Sequence, residues 1–302
     1  MKFGWLNVFQ LCKFLKALGH VMVLVVLALL GLSYYSVVFL TLIPAFNNTD
    51  ALWLKGVVIA LMVVFSLVIF MIVWSYFAAV VQDPGSVPEG WHPFGDDETA
   101  QRELQQWLMY GDTLYDRADP RRPRYCRKCS GWKPERTHHC SVSGKCILKM
   151  DHYCIWVVNC VGLLNYKFFF LFLAYTWLGS VMALAILTSS MVEFMKRSKE
   201  TGSTIVFFTF VIDAAFVLSL LGFLAMHIKL LTVNCTSIEM YEKQRVNPWP
   251  YDLGAKRNLE EVLGSNRWMW FIPLHVKEEE QRLLDAVLSR LMDVEAREAE
   301  QV

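Results

Sequence analysis

Four long runs with almost no charge constrain this chain more than any other feature. They cover roughly His20 to Pro44, Val57 to Val81, Phe168 to Val192 and Thr204 to Leu231. Each holds about twenty or more residues, enough for one helix to cross a hydrocarbon core. The first is too long for a signal-peptide core, and no small-residue cleavage site follows it. Of the 302 residues, 55% are hydrophobic. That exceeds the usual share of a soluble domain, and the excess sits in these runs. The net charge of +1 points neither to nucleic acid nor to an acidic partner.

An even number of spans places both termini and the long middle segment on one side. Lys2, Lys13 and Lys16 precede the first span, whereas the first connecting loop carries Lys55 with Asp50 nearby. That distribution favours a cytosolic N-terminus. Lys196, Arg197 and Lys199 after the third span point the other way. The first helix carries more weight because it usually dominates orientation. The expected organisation is an N-terminal tail with two spans (1–81), a cytosolic segment (82–167), two further spans (168–231) and a cytosolic tail (232–302). The fold class is an all-α polytopic membrane protein of four transmembrane helices. A small, irregular, zinc-binding cysteine-rich domain at about 124–167 completes it.

Between the spans, Asp83-Pro84-Gly85 marks a turn, and Thr99 to Met109 suits a short helix. In the tail, Leu284, Val287, Leu288 and Leu291 recur at helical spacing among charges, which reads as a solvated amphipathic helix. Asp213 lies inside the fourth run, where an ionisable group is a functional candidate by default. The milder expectation is that it pairs with a hydroxyl such as Thr209 or reaches the far interface.

Six of the eight cysteines fall between Cys126 and Cys160; Cys12 and Cys235 stand alone. In a reducing cytosol such density means metal ligands or reactive thiols, not disulfides. Cys126 and Cys129 have the gap of a zinc knuckle, and His139, Cys140 and Cys146 lie within reach to complete a tetrahedron. Asp151-His152-Tyr153-Cys154 holds a thiol, a base to take its proton and a carboxylate to orient that base. His152 and Cys154 are two apart, so they share a side only on extended or irregular backbone. The third span begins soon after, so Cys154 is expected at the membrane surface.

The block from Cys126 to Phe169 resembles the cysteine-rich domain of the DHHC family of protein S-acyltransferases, or palmitoyltransferases. The residues that carry the likeness are Lys133-Pro134, Arg136, His138-His139-Cys140, the Asp-His-Tyr-Cys core, Trp156, Asn159-Cys160, Gly162, Asn165 and Phe169. Asp83-Pro84-Gly85 looks like the family's DPG motif. Thr236-Ser237-Ile238-Glu239 looks like its TTxE motif, and Tyr251 to Asn258 is similar to its C-terminal motif, with Asn258 packing the core. The likeness reaches about Pro273 and is nearest the short plant members. It implies an enzyme that takes a long acyl group, such as palmitoyl, from acyl-CoA onto Cys154. The group then passes to a cysteine of a membrane-associated substrate protein. By resemblance His152 is the base and Asp151 its orienter. Trp156, Arg136, Lys145, Lys149 and Lys256-Arg257 are candidate acyl-CoA contacts. The implied setting is an endomembrane of Golgi type, with the lipid bilayer as partner and no nucleic acid.

Two departures stand out. The usual core has His where this chain has Tyr153, and the usual pattern has Cys where it has Ser143. Carried over residue by residue, one zinc takes Cys126, Cys129, His139 and Cys146, all present. The other retains only Cys140 and Cys160. About one zinc per chain is therefore expected, with Tyr153 and Ser143 filling the second site through a hydrogen bond. A catalytically weakened scaffold is the alternative. A RING-type module would need a cross-braced ligand series that this chain lacks.

Overall fold

The protein's structure, a computed structural model, describes residues 8–110, 124–197, 201–240 and 248–288. Among these, four helical segments are long and apolar enough to cross a membrane: Leu18–Asn47, Leu52–Val81, Tyr166–Val192 and Thr204–Thr232. The first is composite. Helix α1 (Val8–Tyr34) runs into a π-helical stretch, Tyr35–Leu42, and then a short α2 (Ile43–Asn47). The others are α3 (Leu52–Val81), α5 (Tyr166–Arg197) and α6 (Thr201–Thr232). Their outward faces carry exposed Val63, Val64, Leu67, Phe70 and Leu218. A continuous apolar exterior of this kind is stable only against lipid.

Inside the bundle, Ile72, Tyr76 and Ala79 of α3 pack with Phe169, Phe172 and Leu173 of α5. Gly179 permits that approach, because a β-carbon there would sit 3.0 Å from Ile72 Cδ1. Small residues at helix contacts serve the same purpose in membrane bundles generally.

The cysteine-rich segment is more regular than its sequence suggests. It forms three antiparallel hairpins: β1 (Arg124–Cys126) with β2 (Gly131–Lys133), β3 (His138–Cys140) with β4 (Lys145–Ile147), and β5 (His152–Cys154) with β6 (Asn159–Val161). Strands of three residues cannot stabilise themselves, so the spans and their turns brace them. Asp83 Oδ1 accepts the N–H groups of Gly85 and Ser86 at 2.8 and 2.7 Å, closing a turn at the end of α3. Pro84 and Gly85 then offer their carbonyls to the N–H groups of Leu164 and Leu148. Asn159 donates to the carbonyls of Ala79, Val80 and Gln82, satisfying the orphan C-terminus of α3. Gly162 is required at this seam, since a β-carbon would lie 2.6 Å from Pro84 O and 3.0 Å from Leu148 O.

Helix α4 (Asp97–Tyr110) is capped by Asp96, whose Oδ1 accepts the Thr99 N–H at 2.7 Å. After α6 come α7 (Ala255–Leu263), a 3₁₀ turn (Arg267–Phe271) and α8 (Lys277–Leu288). Helix α8 is not a free solvated tail: Leu283 and Val287 are buried against Leu148, Leu163 and Leu164. Leu291 lies outside the described residues.

Candidate active site and metal centre

The Cys-x-x-Cys turn between β1 and β2 faces the β3–β4 hairpin, where His139 and Cys146 are direct cross-strand partners. The donor atoms of Cys126, Cys129, His139 and Cys146 all lie within 4.8 Å of one another. His139 Nδ1 is 3.6 Å from Cys126 Sγ, 3.1 Å from Cys129 Sγ and 3.9 Å from Cys146 Sγ, and the last two sulfurs are 3.6 Å apart. A tetrahedral zinc with Zn–S near 2.3 Å and Zn–N near 2.0 Å separates its ligand atoms by about 3.5–3.8 Å. The quartet thus fits a metal ion of that size and ligand preference.

The remnant positions also converge, but on a packed cluster. Ser143 N–H donates to Cys140 Sγ at 3.4 Å, and Ser143 Oγ lies 3.7 Å from Cys160 Sγ. Tyr153 stands opposite Cys160 in the β5–β6 register and packs with Cys140, Ile147 and Met150. Ser143 supplies the expected hydrogen bond. Tyr153 does not: its hydroxyl is buried with no partner among the described residues. The ring fills the volume by packing, because no acceptor faces its oxygen.

Strand β5 is extended from His152 to Cys154, so these two side chains share one side. His152 Nδ1 lies 2.7 Å from Asp151 Oδ2, and the Cys154 thiol follows on the same side of the strand. Asp151, 1% exposed, is held from a second direction: Ser237 N–H donates to Oδ1 at 2.7 Å, and Ser237 Oγ donates to the Asp151 carbonyl at 2.9 Å. Burial alone would raise the Asp151 pKa, but the hydrogen bond and charge of His152 and the Ser237 N–H hold it below the usual value. Burial alone would lower His152, yet Asp151 and Cys154 push it up to about 9.

Thr236 to Glu239 forms a reciprocal cap. Glu239 N–H donates to Thr236 Oγ1, and Thr236 N–H donates to Glu239 Oε2. The same carboxylate takes a bidentate pair from Arg136, at 2.7 Å from Nε and 2.6 Å from Nη2. Arg136 also donates to Asn234 and stacks on Tyr251. This corrects the expectation for Arg136 as a ligand contact. With side-chain exposures of 4% and 2% for the pair, its guanidinium is consumed internally and ties the cysteine-rich domain to the end of α6. Asn258 Nδ2 donates to Thr232 O at 2.7 Å and so closes the C-terminus of α6. Lys145 is exposed and Lys149 partly so.

Cys154 opens onto a cavity of about 440 Å³ among the spans. His152 and Trp156 stand at its mouth, with Val26, Ile72, Phe172 and Leu173 along its walls. Tyr76 of α3 donates to the Trp156 carbonyl at 2.9 Å, fixing the loop over the opening. Sequence reasoning missed one neighbour. His227 of α6 is 1% exposed, its ring centroid is 6.4 Å from that of His152, its Nδ1 is 2.7 Å from Tyr166 Oη, and its Nε2 has no partner among the described residues. The available signal was an ionisable residue within a span, the same signal that singled out Asp213.

These features define a class: a polytopic membrane protein with a thiol, imidazole and carboxylate set where a metal-ligand module meets an apolar cavity. Comparison with known proteins sharpens it. A family model for DHHC palmitoyltransferase matches residues 119–244. The chain is 45% identical over 285 residues to probable protein S-acyltransferase 13 of Arabidopsis thaliana, covering 92% of both chains. It is 42% identical to probable protein S-acyltransferase 14 of the same plant, over 92% of this chain and 91% of the relative. Human palmitoyltransferase ZDHHC20 is 31% identical over 86% of this chain and 74% of its own. The chain belongs to the DHHC palmitoyltransferase family.

Proposed function

We propose that the protein moves a long-chain acyl group from acyl-CoA to cysteines of membrane-associated proteins through a thioester on Cys154. The observation that carries this reading is the Asp151–His152–Cys154 set opening directly onto the apolar cavity. His152 takes the Cys154 proton, and its raised basicity lets it hold that proton near neutral pH. The thiolate attacks the acyl-CoA carbonyl, the carbon–sulfur bond to CoA breaks, and the CoA sulfur leaves with a proton. A substrate thiol then attacks the acyl-enzyme and regenerates Cys154. Each step exchanges one thioester for another. Asp151 orients His152, and Ser237 orients Asp151.

The acyl chain occupies the cavity. From Phe169, beside His152, to Ser180 at the far end, α5 rises about 16 Å. That is close to half of a hydrocarbon core about 30 Å thick, the depth of one lipid acyl chain. Trp156, 45% exposed at the mouth, and Lys145 and Lys149 on the same domain are the proposed contacts for the rest of acyl-CoA.

Zinc is the metal proposed for Cys126, Cys129, His139 and Cys146, at one ion per chain. It would brace the hairpins and carry no chemical step. Both termini and the 82–167 segment face the cytosol in this reading, on an endomembrane of Golgi type. Protease protection on sealed vesicles tests the orientation; a shielded middle segment would overturn it. For activity, purified protein is incubated with palmitoyl-CoA and tested for hydroxylamine-sensitive label. Wild type should load and Cys154→Ser should not. Equal labelling of the two would refute the mechanism.

A further inference from the structure

The far end of the cavity is polar where an acyl chain would place its terminal methyl. Three spans converge there. Ser33 of α1 donates to Asp213 Oδ2 and Ser180 of α5 donates to Asp213 Oδ1, each at 3.1 Å. Asp213 belongs to α6 and is 5% exposed. Asp213 thus pairs with hydroxyls, as expected, but Thr209, the one singled out, pairs with Ser36 at 2.8 Å. Ser33, Ser180, Thr209 and Asp213 all line the cavity.

Chain direction shows that these residues form its floor. Helices α1 and α5 enter the bundle from the side of the cysteine-rich domain, and Ser33 and Ser180 are the last residues each contributes to the lining. Helix α6 runs the opposite way, so Thr209 and Asp213 come before Phe223, which lines the end near His152. A carboxyl group has acceptor capacity for about four hydrogen bonds. The two serines fill one position on each oxygen. Neither bond exhausts the oxygen it meets, and Asp213 lines a cavity whose walls are otherwise largely apolar.

We infer that the Ser33–Asp213–Ser180 floor is a binding site for the hydroxyl of a terminally hydroxylated long-chain acyl group. This inference rests on the acyl-transfer reading above and deepens it by naming a class of donor, an ω-hydroxyacyl-CoA. The terminal hydroxyl takes no part in thioester exchange. It donates to the free acceptor capacity of Asp213 and accepts within the hydroxyl network. A plain methyl terminus leaves that capacity unused. An entirely apolar floor would have the opposite preference, because it would bury the hydroxyl without a partner.

The test compares hydroxylamine-sensitive loading from palmitoyl-CoA and 16-hydroxypalmitoyl-CoA, as a ratio of rates within one preparation. Wild type should load the hydroxylated donor at least as fast as the plain one. Asp213→Leu should lower the ratio of hydroxylated to plain by about tenfold to a hundredfold, the penalty for leaving a buried hydroxyl unpaired. Asp213→Asn, which keeps an acceptor, should stay near wild type. A wild-type ratio below about 0.1, the discrimination of an apolar pocket, overturns the inference by itself, even if Asp213→Leu does not fold. So does a ratio unchanged by Asp213→Leu. Loading of neither donor by wild type would refute the acyl-transfer reading and this inference together. Loading of palmitoyl-CoA alone refutes only the inference.

Discussion

Replacing Asp151 by Asn keeps the shape of the site and removes one charge. His152 stands at about 9 because the hydrogen bonds and charges of Asp151 and Cys154 outweigh its burial. Without the Asp151 charge, burial carries it toward or below the ordinary value near 6.5. At pH 7.4 the share of His152 holding a proton then falls from about 97% to about 11% or less, roughly ninefold. Loss of the Nδ1 partner also frees the ring to rotate and change tautomer, and displacing a general base of this kind adds about a further tenfold. Acyl loading should therefore drop about a hundredfold at pH 7.4. Its pH profile should move as well. Wild-type loading should hold until the pH approaches about 9, whereas Asp151→Asn should decline from about 6.5 upward. The linkage has a definite sign. A folded-state pKa raised above the unfolded value contributes stability that is complete below about 6.5 and lost as pH rises through about 9. Wild type should thus lose more melting temperature between pH 6.5 and 9.5 than Asp151→Asn does. Rapid-quench loading across pH, with melting curves on the same protein, measures both. An unchanged rate with an unchanged profile would refute the claim that Asp151 sets the basicity of His152.

Elemental analysis should find close to one zinc per chain, lost in Cys129→Ser and kept in Cys160→Ser; a content near two would mean the cluster around Tyr153 also holds metal. Because Tyr153 faces Cys160 and Ser143 touches both remnant cysteines, Ser143→Cys with Tyr153→His should raise the content toward two, while either change alone should not. Tyr153→Phe should leave stability unchanged or raise it by about 1 kcal/mol, since the deleted hydroxyl is buried without a partner among the described residues; a clear loss would reveal a partner. Arg136→Leu should destabilise by about 3–5 kcal/mol because Glu239 is left charged and buried, which denaturant titration in detergent can read.

Much of this architecture is legible in the chain because its causes are local. About twenty uncharged residues need a helix and a bilayer whatever surrounds them, so the four spans can be read directly. The Cys126–Cys129 gap limits what those two thiols can do, and the alternation of His152 with Cys154 requires extended backbone. The two missing ligands at 143 and 153 are visible only against the pattern of the family the chain resembles. The regularity of the cysteine-rich domain was less visible, since three-residue strands have no period to detect.

Other features depend on partners that sequence distance conceals. Arg136 looks like a phosphate-binding cation until Glu239, 103 positions away, takes its guanidinium. Ser237 reaches Asp151 across 86 positions, and His227 meets Tyr166 across 61. Asp213 finds Ser33 at a separation of 180. A sequence lists which groups must be satisfied when buried, and here it determined the spans, the Cys126–Cys129 pair and the reactive tetrapeptide, while the choice among His139, Cys140 and Cys146 came from the family resemblance. Which group satisfies which was decided only by packing α1, α5 and α6 around one cavity. That packing turned a charge buried in a span into the floor beneath the reactive thiol.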